Sequence, residues 1–453
     1  METRYSPIEY EMQQIAATPN DHSACYWDCE FLANGQRSTP LKVITVDRQR
    51  DYVKNAVDYV VIKVMIPLSL YLEQLYPNRD NLTVTLYRKP LSDTGNVQRG
   101  VTTPAQVYRG FPIATSDPML TPTTELPSNM SDLDIANLTM LHIQLVPREA
   151  EMFKLRPGGC NYRRKVPGFA LRHHLTRVIQ EISSNFPTDS TISGVDMVEP
   201  DNQNIREHVL VPQSISLLEM PDFIQKKAGG IYNAGLSYYY QVGCFYVWPK
   251  YGLDRFNTNK RTATVFNVPT NYRPGAERTF RETAGQIIIM GTGSSREANF
   301  SESVELNQGN GIRFTDGESI LGGNVTIDRN KVLIRRGKGN SEFVNEARRS
   351  GVNLAPVSKT PITSNPFSQM ESLAATKGTV MEIEWQNSNI DRLYPGMPFR
   401  VKQYRGDEFI ERRGILIGAS EYSEPKSDGI VFSEHLSTAV LTLFLSKTPH
   451  QPN

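Results

Sequence analysis

The sequence predicts a mainly β fold with some α, divided into several domains, and three observations predict it. Apolar and polar residues alternate with a period of two in short runs, which turns one face of each run toward a core. The 29 prolines and 31 glycines among 453 residues supply turns between short strands. A helical period takes over in the middle of the chain, where Leu171, Leu175, Val178, Ile179 and Ile182 share one stripe.

The C-terminal segment gives the cleanest pattern. In Thr379–Trp385, Met381, Ile383 and Trp385 alternate with Glu382 and Glu384, as in a half-buried strand. Pro395-Gly396 is turn chemistry, with φ preset by the proline and positive φ open to the glycine. Phe399–Tyr404, Gly414–Gly418 and Thr438–Leu445 continue the strands.

From the N-terminus, residues up to Pro40 read as polar and irregular. Tyr59–Ile66 is a near-continuous apolar run ended by Pro67, a buried strand. Leu68–Leu75 is expected to form a short helix with Leu68, Leu72 and Leu75 on one side. Leu82–Arg88 and Leu141–Val146 alternate and stop at Pro90 and Pro147, with a long Thr-, Pro-, Ser- and Gly-rich loop expected over 91–130. Strand, short helix, strand, loop, strand describes a β-barrel module.

After the helix at 171–182, a second helix is expected over Pro221–Lys227, with proline in its first turn and Gly229-Gly230 beyond its end. Strands resume at Tyr238–Trp248, Thr264–Val268, Gln286–Met290 and Lys331–Arg335. Residues 291–375 are the most polar part and are expected to form long loops ordered by neighbouring subunits. The expected domains are an N-terminal arm (1–40), a first β-barrel (41–155), a helical or mixed domain (156–235), a strand- and loop-rich domain (236–375) and strands completing a second barrel (376–453). The two strand-rich regions could be one fold used twice.

Lys and Arg total 49, Asp and Glu 48, so the net charge is +1. A protein that lives on DNA backbone contacts usually carries a clear basic excess, which this chain lacks. No run approaches the roughly 20 apolar residues of a membrane-spanning helix, and the N-terminus has no apolar signal core. The chain is expected to fold in a cytoplasm. Cys25 and Cys29 are close in sequence, beside His22, but Cys160 and Cys244 stand apart. Zinc needs four ligands, usually as two close pairs, so reduced structural thiols are expected instead.

The remaining chemistry reads as structural. Gly291–Ser295 lacks the spacing of a phosphate loop. Adjacent His173 and His174 face different directions on a helix, and His142 falls on the polar side of its strand. Glu382 and Glu384 share one strand face about 6–7 Å apart, a glycosidase-like spacing but also an ordinary solvated sheet face. Tyr238, Tyr239, Tyr240, Phe245, Tyr246 and Trp248 suit a stacking platform, but core and interface packing is the simpler reading. Arg335, Arg336 and Lys338 read as a solvated loop or an inter-subunit salt contact. No catalytic, cofactor-binding or metal-ligating residues are expected, and the chain is not expected to be an enzyme.

Several words then fall in a familiar order: Tyr246–Pro249, Arg255-Phe256, Asn267–Pro269, Glu277–Arg281, Asn310–Phe314, Ile362–Asn365, Trp385–Ser388 and Leu393–Met397. In this order the chain resembles the baseplate central hub family of contractile-tailed bacteriophages, the adapter between tail tube and spike, over roughly residues 55 to 445. The resemblance implies two tail-tube-like β-barrel domains with mixed accessory domains. It also implies a homotrimer whose six barrels form a pseudo-six-fold ring. Its partners would be the tail tube protein, the central spike protein, other baseplate proteins and a tape-measure protein in the channel. The chain would then be a structural virion protein of the phage tail baseplate. Two competing readings are a tail-tip component of a non-contractile phage and a cell-wall hydrolase on a β scaffold.

Overall fold

The computed structural model describes residues 10–11, 13–15, 25–91, 105–113, 138–183, 194–253, 261–268, 279–298, 324–328, 331–335, 366–405, 408–426 and 434–449. Strands dominate. In chain order they are β1 (Cys25–Ala33), β2 (Gln36–Ser38), β3 (Lys42–Asp51), β4 (Tyr59–Pro67), β5 (Thr83–Pro90), β6 (Gln106–Ile113), β7 (Leu138–Pro147), β8 (Cys160–Lys165), β9 (Gly194–Met197), β10 (Arg206–Val211) and β11 (Leu236–Gln241). They continue as β12 (Cys244–Pro249), β13 (Thr262–Asn267), β14 (Phe280–Glu282), β15 (Gln286–Gly291), β16 (Ser295–Ala298), β17 (Asn324–Asp328), β18 (Lys331–Arg335), β19 (Gly378–Gln386), β20 (Pro398–Arg405), β21 (Glu408–Pro425) and β22 (His435–Ser446). Helical turns are α1 (Leu68–Leu70, running on as a π turn over Tyr71–Leu75), α2 (Arg148–Leu155), α3 (Pro167–Ser183), α4 (Met220–Lys227) and α5 (Pro366–Thr376).

One sheet joins most of the strands, and its path closes twice. The first cycle runs β21–β3–β4–β7–β6–β5–β1–β22 and back to β21, with every pairing antiparallel. The second runs β15–β13–β20–β21–β22–β19. It closes because the chain leaves β15 through a short turn and re-enters as β16 on β19, where the Thr292 N–H donates to the Glu384 carbonyl at 3.0 Å. In this cycle β13 lies parallel to both β15 and β20, so the two cycles are not strand-for-strand copies. Each encloses its own apolar core, one around Phe31, Ile62 and Ile143, the other around Trp385, Phe399 and Leu443.

The two cycles share β21 and β22. One edge of β21 pairs with β20 up to Ile415 and with β3 from Gly418, and the irregularity between Leu416 and Gly418 marks the change of partner. There the Tyr52 N–H donates to the Ile417 carbonyl at 3.1 Å. An 18-residue β21 is far longer than a typical strand, and its length makes the two cycles one continuous piece of sheet. A third core gathers α3, α4 and the β9–β12–β11 sheet around Leu175, Ile224 and Phe245.

Several local expectations differ from what is found. The stretch read as irregular before Pro40 contains β1 and β2. Cys25, Trp27, Cys29, Phe31 and Ala33 alternate there as buried positions with Asp28 and Glu30 between them, a period of two that the expectation of an irregular stretch passed over. The long loop expected over 91–130 contains β6, disguised by Gly110 and Pro112. Gly110 is required by close approach, since a Cβ there would lie 2.7 Å from Val84 Cγ2. Tyr238–Trp248 is a hairpin rather than one strand, turning at Val242-Gly243. Helix α5 and strands β16 and β17 lie within the segment expected to be loops, beside the expected strand Lys331–Arg335, which is β18.

Candidate functional site: a buried ionic junction

Where the two cycles meet, the sequence places charge on faces that alternation turns inward. Arg48 and Arg50 have the same parity as Val46 on β3, Arg88 the same as Val84 and Leu86 on β5, and Glu421 the same as Ala419 on β21. Arg48, Arg50 and Glu421 are fully buried, and Arg88 nearly so.

They converge on the one-turn helix Ile390–Arg392, which follows β19 in the second cycle. Asn389 caps this turn by accepting from the Asp391 N–H. Asp391 Oδ1 accepts from Arg48 at 2.6 Å and from Arg50 at 2.8 Å. Arg48 also pairs with Glu421, its direct cross-strand neighbour. Arg50 donates to Asp58 at 3.0 Å and to the Ile390 carbonyl at 2.8 Å. Arg88 reaches Asn389 Oδ1 at 2.9 Å and the Ser388 carbonyl at 2.6 Å, and lies 3.6 Å from Glu421. Arg48 and Arg88 both stand over the Trp27 ring, 4.8 and 5.6 Å from its centroid.

The third core is tied to the same point. Tyr239 donates to Asp58 at 2.8 Å, Tyr52 donates to Gln241 at 3.1 Å, and Gln241 donates to the Leu393 carbonyl at 2.8 Å. The junction therefore links both cycles and the β11 sheet through buried, directional bonds.

Burial opposes ionisation of Asp391, but Arg48, Arg50 and Arg88 outweigh it and hold the carboxyl well below the usual range. Burial likewise opposes ionisation of Glu421, and Arg48 and Arg88 again win and lower it. Both folded-state values lie below the unfolded ones, so the stabilisation is present above about pH 4 and is lost as pH falls through the depressed range. Acid titration followed by near-UV dichroism is expected to show loosening of tertiary packing that begins only below about pH 4.

His435 closes a gap in the first cycle. β22 pairs with β1 at a single position, Cys25 with His435. The His435 ring bridges the opening: Nδ1 accepts from the Trp27 N–H at 3.4 Å and Nε2 donates to the Val43 carbonyl at 3.1 Å. The imidazole thus stands in for a missing strand–strand bond. His435→Ala would strand a buried N–H and a buried carbonyl, at about 1–3 kcal/mol each, and should speed amide exchange in β1 ahead of β19.

The residues singled out from sequence fall elsewhere. Cys25 and Cys29 are buried free thiols on β1, and burial pushes both above the ordinary range; His22 lies outside the described residues. Among the described residues no cluster of His, Cys, Asp and Glu is placed to hold a metal ion. Tyr239, Tyr240, Phe245 and Trp248 are buried core residues. Glu382 and Glu384 are half-buried on the outer face of β19, where Glu384 lies opposite Val440. His174 is buried, and burial lowers its pKa; His173 bonds the Tyr162 hydroxyl at 3.0 Å. His142 is half-buried and its pKa is lowered by burial and by Lys63. Gly291 ends β15 and Thr292 to Ser294 form the turn to β16, with the Gly293 N–H on Asn267 Oδ1 at 2.9 Å. Arg336 and Lys338 lie outside the described residues, as do Arg255-Phe256, Asn310–Phe314 and Ile362–Asn365. A cleft of about 670 Å³ lies beside Tyr87, Tyr108, Glu149 and Val242. Burial raises the Glu149 carboxyl there.

Sequence reading missed the ionic junction, although its signal was present. Alternation already turned Arg48, Arg50, Arg88 and Glu421 inward, and the words Trp385–Ser388 and Leu393–Met397 flank Asp391.

No known family and no curated protein matches the chain by sequence. Solved structures are similar to it, among them the following three. The tail protein from Neisseria meningitidis MC58 is 9% identical, with 92% of this chain and 96% of that one covered at a TM-score of 0.42. The 43 kDa tail protein of prophage MuSo2 from Shewanella oneidensis is 8% identical, with 92% and 96% covered at 0.41. An Escherichia coli component of the type VI secretion system, described as structurally similar to T4 bacteriophage tail proteins, is 9% identical, with 93% and 79% covered at 0.39.

Proposed function

We propose that this chain is a structural component of a phage-type tail, a trimeric baseplate hub that joins the six-fold tail tube to the three-fold spike and lines the channel. The observation that carries the reading is the pair of closed strand cycles fused through β21 and β22. On this reading each cycle is a tube-like barrel, and three chains supply six lobes around a passage. The parallel pairings of β13 mean that the match between lobes is one of outline rather than strand order. The ionic junction then has a task beyond stability, since a closed ring tolerates only one angle between the lobes. Buried ion pairs are weak stabilisers but can fix a unique geometry.

The outer face of the shared strands supplies a surface for neighbours. Tyr422, Leu436 and Val440 are exposed there, and Tyr59 lies two strands from Ser420 across Gln49. Closed rings arise from heterologous contacts whose rotation closes, and an obligate interface would bury about 2,000 Å² or more. The segment 291–375 contacts spike or baseplate in this reading. Light scattering on the eluting protein tests it: a mass three times the 51.1 kDa chain supports the hub, and a monomer at every concentration contradicts it. Deleting part of 300–323 should leave the trimer intact and abolish spike attachment.

A further inference from the structure

A two-stranded ribbon, β8 with β10, stands apart from the main sheet. Its register pairs Lys165 with Arg206, Arg163 with His208 and Asn161 with Leu210, so these six side chains share one face. All six are exposed. The opposite face carries buried Val209 and Val211, with Tyr162 on the α3 histidine His173. The outward face therefore combines three permanent cations with an exposed leucine, and Ile205, 69% exposed, adjoins it.

A second observation points the same way. Arg164, the next-to-last residue of β8, has φ of +51°. A left-handed residue without glycine or asparagine chemistry is uncommon, and such strain gathers where function holds it. The conformation brings Arg163 and Arg164 to the same carboxylate, Glu207, at 3.7 and 3.6 Å. Two consecutive cations thus share one acidic partner, and with Lys165 and Arg206 positive charge is left over.

We infer that this ribbon face docks an acidic, extended segment of another protein, with carboxylates on Arg163, Lys165 and Arg206 and apolar side chains on Leu210 and Ile205. The flanking aromatic gives nucleic acid little to stack on: Phe169 is already held between Lys165, 4.9 Å from its ring, and the stacked ring of His173. The inference does not depend on the ring reading, because the ribbon belongs to neither strand cycle.

The test uses the full chain and a fluorescein-labelled peptide alternating glutamate and valine, with a lysine–valine peptide and an oligo-dT strand alongside. Anisotropy should show binding of the acidic peptide that weakens with salt and exceeds binding of oligo-dT at least about tenfold. Arg163→Glu with Arg206→Glu should weaken it at least about tenfold. Arg164→Gly suits the left-handed backbone and keeps the fold, and it should also weaken binding. Equal or tighter binding of oligo-dT, no binding of the acidic peptide, or unchanged affinity in the folded Arg164→Gly protein would overturn the proposal.

Discussion

Glu421→Gln is expected to destabilise the folded chain by about 3–5 kcal/mol, the range for breaking a buried ion pair from one side. The substitution keeps shape and volume, so the effect isolates charge. It leaves Arg48 and Arg88 with Asp391 as their remaining nearby carboxylate, while Arg50 keeps Asp58. It also weakens the bonds that Ser388 Oγ and the Ile390 N–H donate to Oε1, at 2.9 and 3.3 Å. Both donors lie beside the turn that carries Asp391, so the angle between the cycles should relax as stability falls. Urea unfolding measures the first effect. Removing both partners, Arg48→Met with Glu421→Leu, should cost less than the sum of the single changes, because no buried charge is orphaned. Full additivity would mean that the pair is not coupled.

Gly414→Ala is the second large effect. Gly414 lies on β21 opposite Phe399 on one side and Leu445 on the other. A Cβ there would sit 1.9 Å from the Phe444 carbonyl oxygen and 2.8 Å from Leu445 Cα. These are backbone atoms of β22, so the clash can be relieved only by parting the two strands that both cycles share. Overpacking of this kind is expected to cost about 3 kcal/mol or more, seen as loss of soluble protein or a lowered urea midpoint. Gly285→Ala is the matched control. Nothing lies within 4 Å of its added methyl, so its effect should stay within about 0.5 kcal/mol.

The parts of the fold legible in the sequence were those where one period governs one element. Met381, Ile383 and Trp385 alternate, and β19 is a strand; Leu171 to Ile182 follow a helical stripe, and α3 is a helix. The reading failed where Gly110 and Pro112 masked a strand, as at β6, and it passed over a period of two that was present at β1. The junction was illegible for a different reason. A charged residue on an inward face reads as an error in the pattern until its partner is known. The partners of Arg48 and Arg50 lie 343 and 341 residues away at Asp391. Nor does local pattern reveal that β21 exchanges β20 for β3 along one edge, because that depends on what each half meets.

End-on electron microscopy of the purified oligomer tests the central claim most directly. A hub of this construction should give rings with three-fold rotational symmetry, six lobes of similar outline and an open centre. Particles that show one compact body without a central opening, at the mass of a single chain, would contradict it.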